Sequence, residues 1–160
     1  MKKILTILLF FYPIVGFSQQ DTNLSSFVRS IERLYNPLPI IKDSNCFYNN
    51  ALLMVVFDSS YKICKMQLSD NAASWNISEF ERIKRKLDYT SLTKYAKENN
   101  FIGKLLFPIV IRRGLKNCKY EIENHNFSSS LFSFNNILLN GNIRFENPIV
   151  ITSMEMTGKN

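Results

Sequence analysis

The sequence predicts an α+β fold, with an antiparallel sheet in the order helix, hairpin, helix, strand, followed by a C-terminal β-hairpin. Two stretches, 24–35 and 78–98, repeat apolar residues at helical spacing. The stretch 51–68 contains an apolar run and an alternating run on either side of a short polar turn. Near the C-terminus, Asn140-Gly141 separates two apolar stretches, a pattern typical of a two-residue hairpin loop.

The N-terminal segment, residues 1–18, is predicted to be a secretory signal. It has a short basic start, an almost wholly apolar run over residues 4–17, and a polar continuation. The run is shorter than the roughly 17–25 residues that a transmembrane helix needs, and Pro13 disfavours a stable anchor. We therefore expect cleavage after Ser18. The remaining residues, 19–160, then form a single domain without a stable membrane span.

The composition excludes several classes of site. One histidine and three cysteines cannot build a multi-histidine metal centre or a four-cysteine zinc site. Phosphate-binding loops, dinucleotide fingerprints and EF-hand patterns are absent from the sequence, so we expect no metal and no cofactor. The formal net charge of +7 falls to +5 when Lys2 and Lys3 are removed with the signal. This mild excess does not predict a nucleic-acid partner.

The first helix, 24–35, is predicted to end before Pro37, because proline restricts the residue that precedes it. In the hairpin that follows, Ser59-Ser60 is the expected loop. This register places one set of residues on the buried face of the sheet: Ala51, Leu53, Val55, Phe57, Cys64, Met66 and Leu68. Cys64 is therefore expected to be a buried and unreactive thiol.

The segment 78–98 opens with a capping-box pattern that makes Ser78 the expected N-cap. The helical spacing of its apolar residues is interrupted near Asp88, so the segment is predicted to form either one helix or two. The third strand, 104–111, contains Pro108. Since proline cannot donate to a sheet ladder, this strand is expected either at an edge of the sheet or at a bulge.

The remaining cysteines and the histidine offer little catalytic chemistry. An odd number of cysteines allows at most one internal disulfide. Cys46 precedes the first predicted strand and Cys118 follows the third, so the two form a candidate bridge. His125 lies in a polar stretch without an oriented partner and is expected in a surface loop. We therefore predict no catalytic residue.

Residues 24–113 resemble the TonB C-terminal domain family, and more closely small exported stand-alone proteins with that topology. The resemblance lies in the strand-turn-strand segment 55–63, in the helix from Glu79, and in the proline-containing strand 107–111. Tyr61 departs from the family pattern, because it stands where the family usually has glycine. The resemblance implies an exported α+β domain that binds other proteins.

These features together predict a non-enzymatic exported protein, periplasmic or secreted, that binds another envelope or secreted protein. The expected mode is strand addition, in which an edge strand offers unpaired N–H and C=O groups to a partner. The candidate partner-binding residues lie on the third strand: Leu105, Phe107 and Ile109. The alternative is a small secreted ligand-binding protein or hydrolase with a pocket between a helix and the sheet.

Overall fold

The computed structural model describes residues 24–36, 48–113 and 129–153. These residues form an α+β fold, which confirms the predicted class. The elements, in chain order, are α1 (Ser25–Leu34), β1 (Tyr48–Phe57), β2 (Ile63–Leu68), α2 (Ser74–Lys84), α3 (Thr90–Glu98), β3 (Gly103–Arg113), a short 3-10 helix (Ser129–Phe132), β4 (Ser133–Phe134), β5 (Ile137–Leu138), β6 (Ile143–Phe145) and β7 (Ile149–Ser153).

The main sheet is mostly antiparallel and has the strand order β2-β1-β3-β6, with β7 also paired to β3. Strand β1 runs antiparallel to both β2 and β3. Strands β6 and β7 both run parallel to β3, one after the other along its length. Strand β3 therefore lies in the interior of the sheet.

The predicted edge position of the third strand is wrong. Leu105 and Ile109 are fully buried, and Phe107 is 1% exposed. Because β3 is paired on both sides, it has no free hydrogen-bonding edge for a partner. These three residues belong to the core and are not a partner-binding surface.

Pro108 is accommodated in this interior strand by a break in pairing on one side. It lies opposite Leu52 of β1. Leu52 bonds instead to Ser69 beside β2, through both its N–H and its carbonyl, each at 2.8 Å. The backbone nitrogen of Pro108, which has no hydrogen to donate, therefore faces away from β1. On that side the pairing with β6 ends at Leu106 and the pairing with β7 begins at Ile109.

The turn between β1 and β2 is held by one carboxylate. Asp58 Oδ1 accepts the backbone N–H of Ser60 at 2.8 Å and that of Lys62 at 2.9 Å. Tyr61 has a φ of +59°, in the left-handed region that favours glycine. Its hydroxyl donates to Asn100 Oδ1 at 3.2 Å, which ties the turn to the end of α3.

A β-bulge in β2 overturns the prediction for Cys64. Val56 lies opposite Lys65, whereas Phe57 lies opposite Ile63, so β2 contains one additional residue at this point. That residue is Cys64, which is exposed. The rest of β2 keeps the predicted facing, because the strand returns to register after the bulge.

Two helices occupy the region predicted as one helix or two. Helix α2 begins at Ser74, so the predicted N-cap at Ser78 is wrong; the Ser78 hydroxyl lies within the helix and donates to the Ser74 carbonyl at 3.0 Å. Asp88 accepts the Thr90 backbone N–H at 3.0 Å at the start of α3. Within the described ranges, no helix is long and apolar enough to cross a membrane.

The C-terminal hairpin is present, but its turn is not at Asn140-Gly141. Asn135 and Asn136 connect β4 to β5, with φ values of +55° and +61°. Two consecutive left-handed residues suit a two-residue hairpin turn, and asparagine tolerates this conformation better than most residues. The segment after Gly141 pairs in parallel with β3 instead of returning along β5.

The core occupies both faces of the sheet. The larger cluster lies between the sheet and the three helices, where the rings of Phe27 and Phe107 are 5.4 Å apart. The smaller cluster lies on the opposite face, and its buried members are Leu52, Met54, Leu106, Leu131 and Phe134. The β4–β5 hairpin thus covers one face and the helices cover the other.

Candidate partner-binding groove

The residues that the sequence predicts as partner contacts do not meet on a free surface, because β3 buries them. Three other predictions concern parts of the chain outside the described residues: the signal over 1–18, the candidate bridge between Cys46 and Cys118, and the surface-loop position of His125. The accessible part of the sheet lies at another strand, β2. Within the described residues, no group of three or more histidine, cysteine, aspartate and glutamate side chains is placed to hold a metal ion.

Strand β2 is a free edge of the sheet: no strand among the described residues pairs with it on the side away from β1. Ser69, just after β2, donates its N–H to Leu52 of β1 at 2.8 Å. Because backbone groups alternate along a strand, Gln67 also bonds towards β1, whereas the N–H and C=O of Met66 and Leu68 point away from it. These groups are available to another strand.

A groove of about 690 Å³ runs along this free edge. Strand β2 forms one wall, and the end of α2 and the start of α3 form the other. Its lining residues are Lys62, Ile63, Cys64, Lys65, Met66, Gln67, Glu81, Lys84, Tyr89 and Thr93. The groove therefore combines an unpaired strand edge, which can accept an added strand, with a helical wall that can contact the side chains of that strand.

Apolar groups form part of the groove's lining. Met66 is 6% exposed and belongs to the main core, against which Ile63 and Tyr89 also pack. The Tyr89 hydroxyl donates to the Lys84 carbonyl, which ties the start of α3 to the end of α2. Burial, followed by the negative charge of Glu81, raises the pKa of the Tyr89 hydroxyl.

The groove is predominantly basic. Three lysines line it, Lys62, Lys65 and Lys84, with a single acidic residue, Glu81. Lys84 Nζ lies 3.1 Å from Glu81 Oε1, so these two charges partly compensate each other. The two lysines of the β2 side remain to attract a negatively charged partner.

A buried polar contact positions α2, which forms part of the helical wall of the groove. Asn76 is fully buried in α2 and accepts a hydrogen bond from the Tyr35 hydroxyl through Oδ1. Its Nδ2 donates to Asn49 Oδ1 at 3.3 Å, which connects α2 to β1. Burial, and secondarily the charge of Glu79, raises the pKa of Tyr35 far above its usual range, so this hydroxyl remains a donor.

A second contact joins α2 to the end of α1. Glu79 forms an ion pair with Arg82 at 2.6 Å and accepts the Asn36 backbone N–H at 2.6 Å. Arg82 also donates to the Leu34 carbonyl at 2.7 Å. The hydrogen bond from Arg82, followed by that from Asn36, lowers the pKa of the Glu79 carboxyl. Helix α2 is thus held at both its buried and its exposed face.

No known protein family, curated protein or solved structure matches this chain. The resemblance to the TonB C-terminal domain family consequently stays a prediction from the sequence.

An exposed apolar surface lies on the other side of the sheet, at the β4–β5 hairpin. Ile137 is 66% exposed and Leu138 is 62% exposed. A small cavity of about 240 Å³ separates this hairpin from the sheet. Each of these strands has only two residues, so the hairpin offers a much shorter edge than the six residues of β2.

Asp70 anchors this hairpin to the loop after β2. Its carboxylate accepts the Ser133 hydroxyl at 2.6 Å and the backbone N–H groups of Asn135 and Asn136, each at 2.8 Å. The hydrogen bond from Ser133, followed by those from Asn136 and Asn135, lowers the pKa of Asp70 below its usual 3.8. The ionised carboxylate therefore favours the docked hairpin.

Acidification is expected to loosen the hairpin. Because the folded pKa of Asp70 is lowered, its contribution is present above about pH 4 and is lost as the pH falls through the folded pKa. We expect amide exchange of Asn135 and Asn136, corrected for intrinsic pH dependence, to rise in acid as the carboxylate is protonated and these two hydrogen bonds weaken. In Asp70→Ala the corrected rates should already be high at pH 7 and should no longer change with pH. Rates that stay unchanged in both proteins would contradict this role of Asp70.

The sequence contained one usable sign of the β2 edge: Lys62 lies just before this short strand and Lys65 lies within it. Lysines on a strand are a common device against unwanted edge pairing. Pro108 was the stronger local signal and directed the prediction to β3 instead. The exposed Cys64 could not be foreseen, because a bulge depends on pairing with β1.

Proposed function

We propose that this protein is an exported, non-enzymatic domain of the cell envelope that binds a partner protein by strand addition at β2. The observation that carries the proposal is the free edge of β2 beside a helical wall. The outward backbone groups of Met66 and Leu68 can continue the sheet, and the groove can accept the side chains of the added strand. Export is supported by the signal-like residues 1–18.

The sequence resemblance to TonB C-terminal domains also supports the proposal. The resemblance implies a small exported α+β domain that binds other proteins, and the proposed function is of the same kind. The proposal differs from the prediction made from the sequence in the surface used. The partner is assigned to β2, because β3 has no free edge.

The experiment that tests the proposal is site-specific photo-crosslinking in cells, followed by amide exchange with the captured protein. A photoreactive amino acid at position 64 lies on the β2 edge, and one at position 97 lies on the exposed part of α3, away from the groove. We expect a defined adduct from position 64 and none from position 97. Equal capture from both positions would contradict binding at the groove.

Amide exchange then separates strand addition from contact of another kind. The captured partner, once purified, should slow exchange at Met66 and Leu68 by about tenfold or more, because their N–H groups point outward. Gln67 should change little, because its N–H already faces β1. A partner that crosslinks at position 64 but protects neither Met66 nor Leu68 would contradict strand addition.

The volume of the groove supports one second candidate, a small-molecule site. A volume of about 690 Å³ falls within the usual range for ligand pockets, roughly 300–1,000 Å³. Such a ligand would contact Lys84, Tyr89 and Thr93 on the helical wall. It would perturb these side chains while leaving the exchange rates of Met66 and Leu68 unchanged, so the same measurement distinguishes the two candidates.

A further inference from the structure

We infer that the β2 groove selects an extended segment in which acidic and apolar side chains alternate. This inference rests on the proposed function, since it describes the occupant of the same site. It follows from the different side chains on the two faces of β2: apolar groups on the face towards the helices, and a lysine on the opposite face.

One face of an added strand would meet apolar groups. Met66 points its backbone groups outward and its side chain towards the helices. Residues directly opposite each other in adjacent strands point to the same face of a sheet. The partner residue opposite Met66 would therefore enter the groove between β2 and the helical wall, where Ile63 and Tyr89 also lie. An apolar side chain is favoured at this position.

The other face of an added strand would meet a lysine. Lys65 lies next to Met66, and its side chain therefore projects from the opposite face of the sheet, where it is exposed. Cross-strand pairs of opposite charge stabilise a sheet by roughly 0.2–1 kcal/mol, and pairs of like charge destabilise it. The partner residue opposite Lys65, which is adjacent to the apolar one, is therefore favoured as glutamate or aspartate.

The remaining charges of the groove act in the same direction. Lys62 lies just before β2, and Lys84 lies on the helical wall, where Glu81 partly compensates its charge. The excess of positive charge accelerates the approach of an acidic segment and makes binding sensitive to salt. A basic segment would face repulsion along the whole strand.

A second copy of this chain is a poor occupant for the same reason. Pairing two β2 strands would bring Lys62 and Lys65 of both copies to one interface. Lysines placed in this way are a known means by which edge strands avoid pairing with themselves. The charge of the edge thus disfavours a dimer and favours a different, acidic partner.

A panel of three blocked peptides of about eight residues tests the inference. Each peptide alternates valine with a second residue, which is glutamate, glutamine or lysine. We expect the glutamate peptide to bind up to about fivefold more tightly than the glutamine peptide, as one favourable cross-strand charge pair with Lys65 predicts, and the lysine peptide to bind more weakly than either. The advantage of glutamate should largely disappear between about 0.05 and 0.5 M salt.

Two charge reversals locate the preference. Lys65→Glu should remove or invert the preference for the glutamate peptide. Lys97→Glu changes the net charge equally but lies outside the groove, on an exposed part of α3, and should leave the preference in place. Both variants alter an exposed side chain, so both should fold. An equal loss in the two variants would overturn the assignment of the preference to Lys65.

The outcomes separate this inference from the proposed function. If all three peptides bind equally and protect the Met66 and Leu68 amides, strand addition stands and the acidic preference is overturned. If no peptide changes exchange at Met66 or Leu68, both the inference and strand addition by a generic alternating segment are overturned. Self-association that pairs β2 with β2 and survives at low salt would instead identify a second copy as the occupant.

Discussion

Phe107→Ala is expected to lower the free energy of unfolding by about 3–5 kcal/mol. Phe107 is 1% exposed at the centre of β3 and packs against Phe27, with their ring centroids 5.4 Å apart. Removing the ring leaves a cavity between the sheet and the helices, which the neighbouring strands cannot close. Urea denaturation, followed by the fluorescence of the single tryptophan, Trp75, measures the change.

Val150→Ala is the matched control, because Val150 lies on the neighbouring strand β7 and is 40% exposed. Its cost should stay below about 1 kcal/mol. Similar small losses for Val150→Ala and Phe107→Ala would mean that Phe107 is not part of the core. Such losses would indicate that β3 lies at the surface of the protein.

The burial of Phe107 and Ile109 also decides which variants can test partner binding. Lysine at Phe107 and Ile109 would place two charges inside the core, since neither residue is accessible. Loss of binding in such a protein would report unfolding. Variants of the β2 edge, such as Lys65→Glu, test the surface without disturbing the core.

Asn76→Ala is expected to lower the free energy of unfolding by about 2–3 kcal/mol. The change removes the acceptor of the Tyr35 hydroxyl and leaves that hydroxyl buried without this partner. It also removes the contact between α2 and Asn49 of β1. Because α2 carries the helical wall of the groove, amide exchange along α2 should increase in this variant. Urea denaturation and exchange measure the two effects.

A double-mutant cycle with Tyr35→Phe isolates the buried contact. Removing both polar partners should cost less than the sum of the two single changes, by about 1 kcal/mol or more, because no hydroxyl is then left unsatisfied. Ile77→Ala, at the next and more exposed position of α2, is the control and should cost little. Strictly additive losses would contradict a direct contact between Tyr35 and Asn76.

Local patterns in the sequence were sufficient for much of the fold. Apolar spacing indicated α1 and the helical region that forms α2 and α3, and alternation indicated the β1–β2 hairpin. These predictions succeed because a helix or a hairpin depends on residues that are close together in the chain. The N-cap of α2 was misplaced by five residues, at Ser78 instead of Ala73, because Ser78 resembles a cap but lies inside the helix.

The C-terminal region could not be predicted in the same way. Asn140-Gly141 is the favoured hairpin sequence, yet Asn135-Asn136 forms the turn. Asp70, more than sixty residues earlier in the chain, accepts both backbone N–H groups of that turn. A contact at this separation leaves no periodic signal in the sequence and outweighs local turn preference.

The sequence by itself determined the α+β class, the helical and strand segments up to β3 in outline, and most of the apolar residues that fill the core. Only the tertiary structure decided which strand is an edge. The apolar run in β3 fits either a buried central strand or an exposed edge strand that binds a partner, and Pro108 favoured an edge. In the structure, Pro108 lies at the gap between the pairing of β3 with β6 and its pairing with β7, where no donor is needed. Edges, bulges and grooves arise from pairing between distant segments, so the groove beside β2 exists only once β1, α2 and α3 have assembled around it.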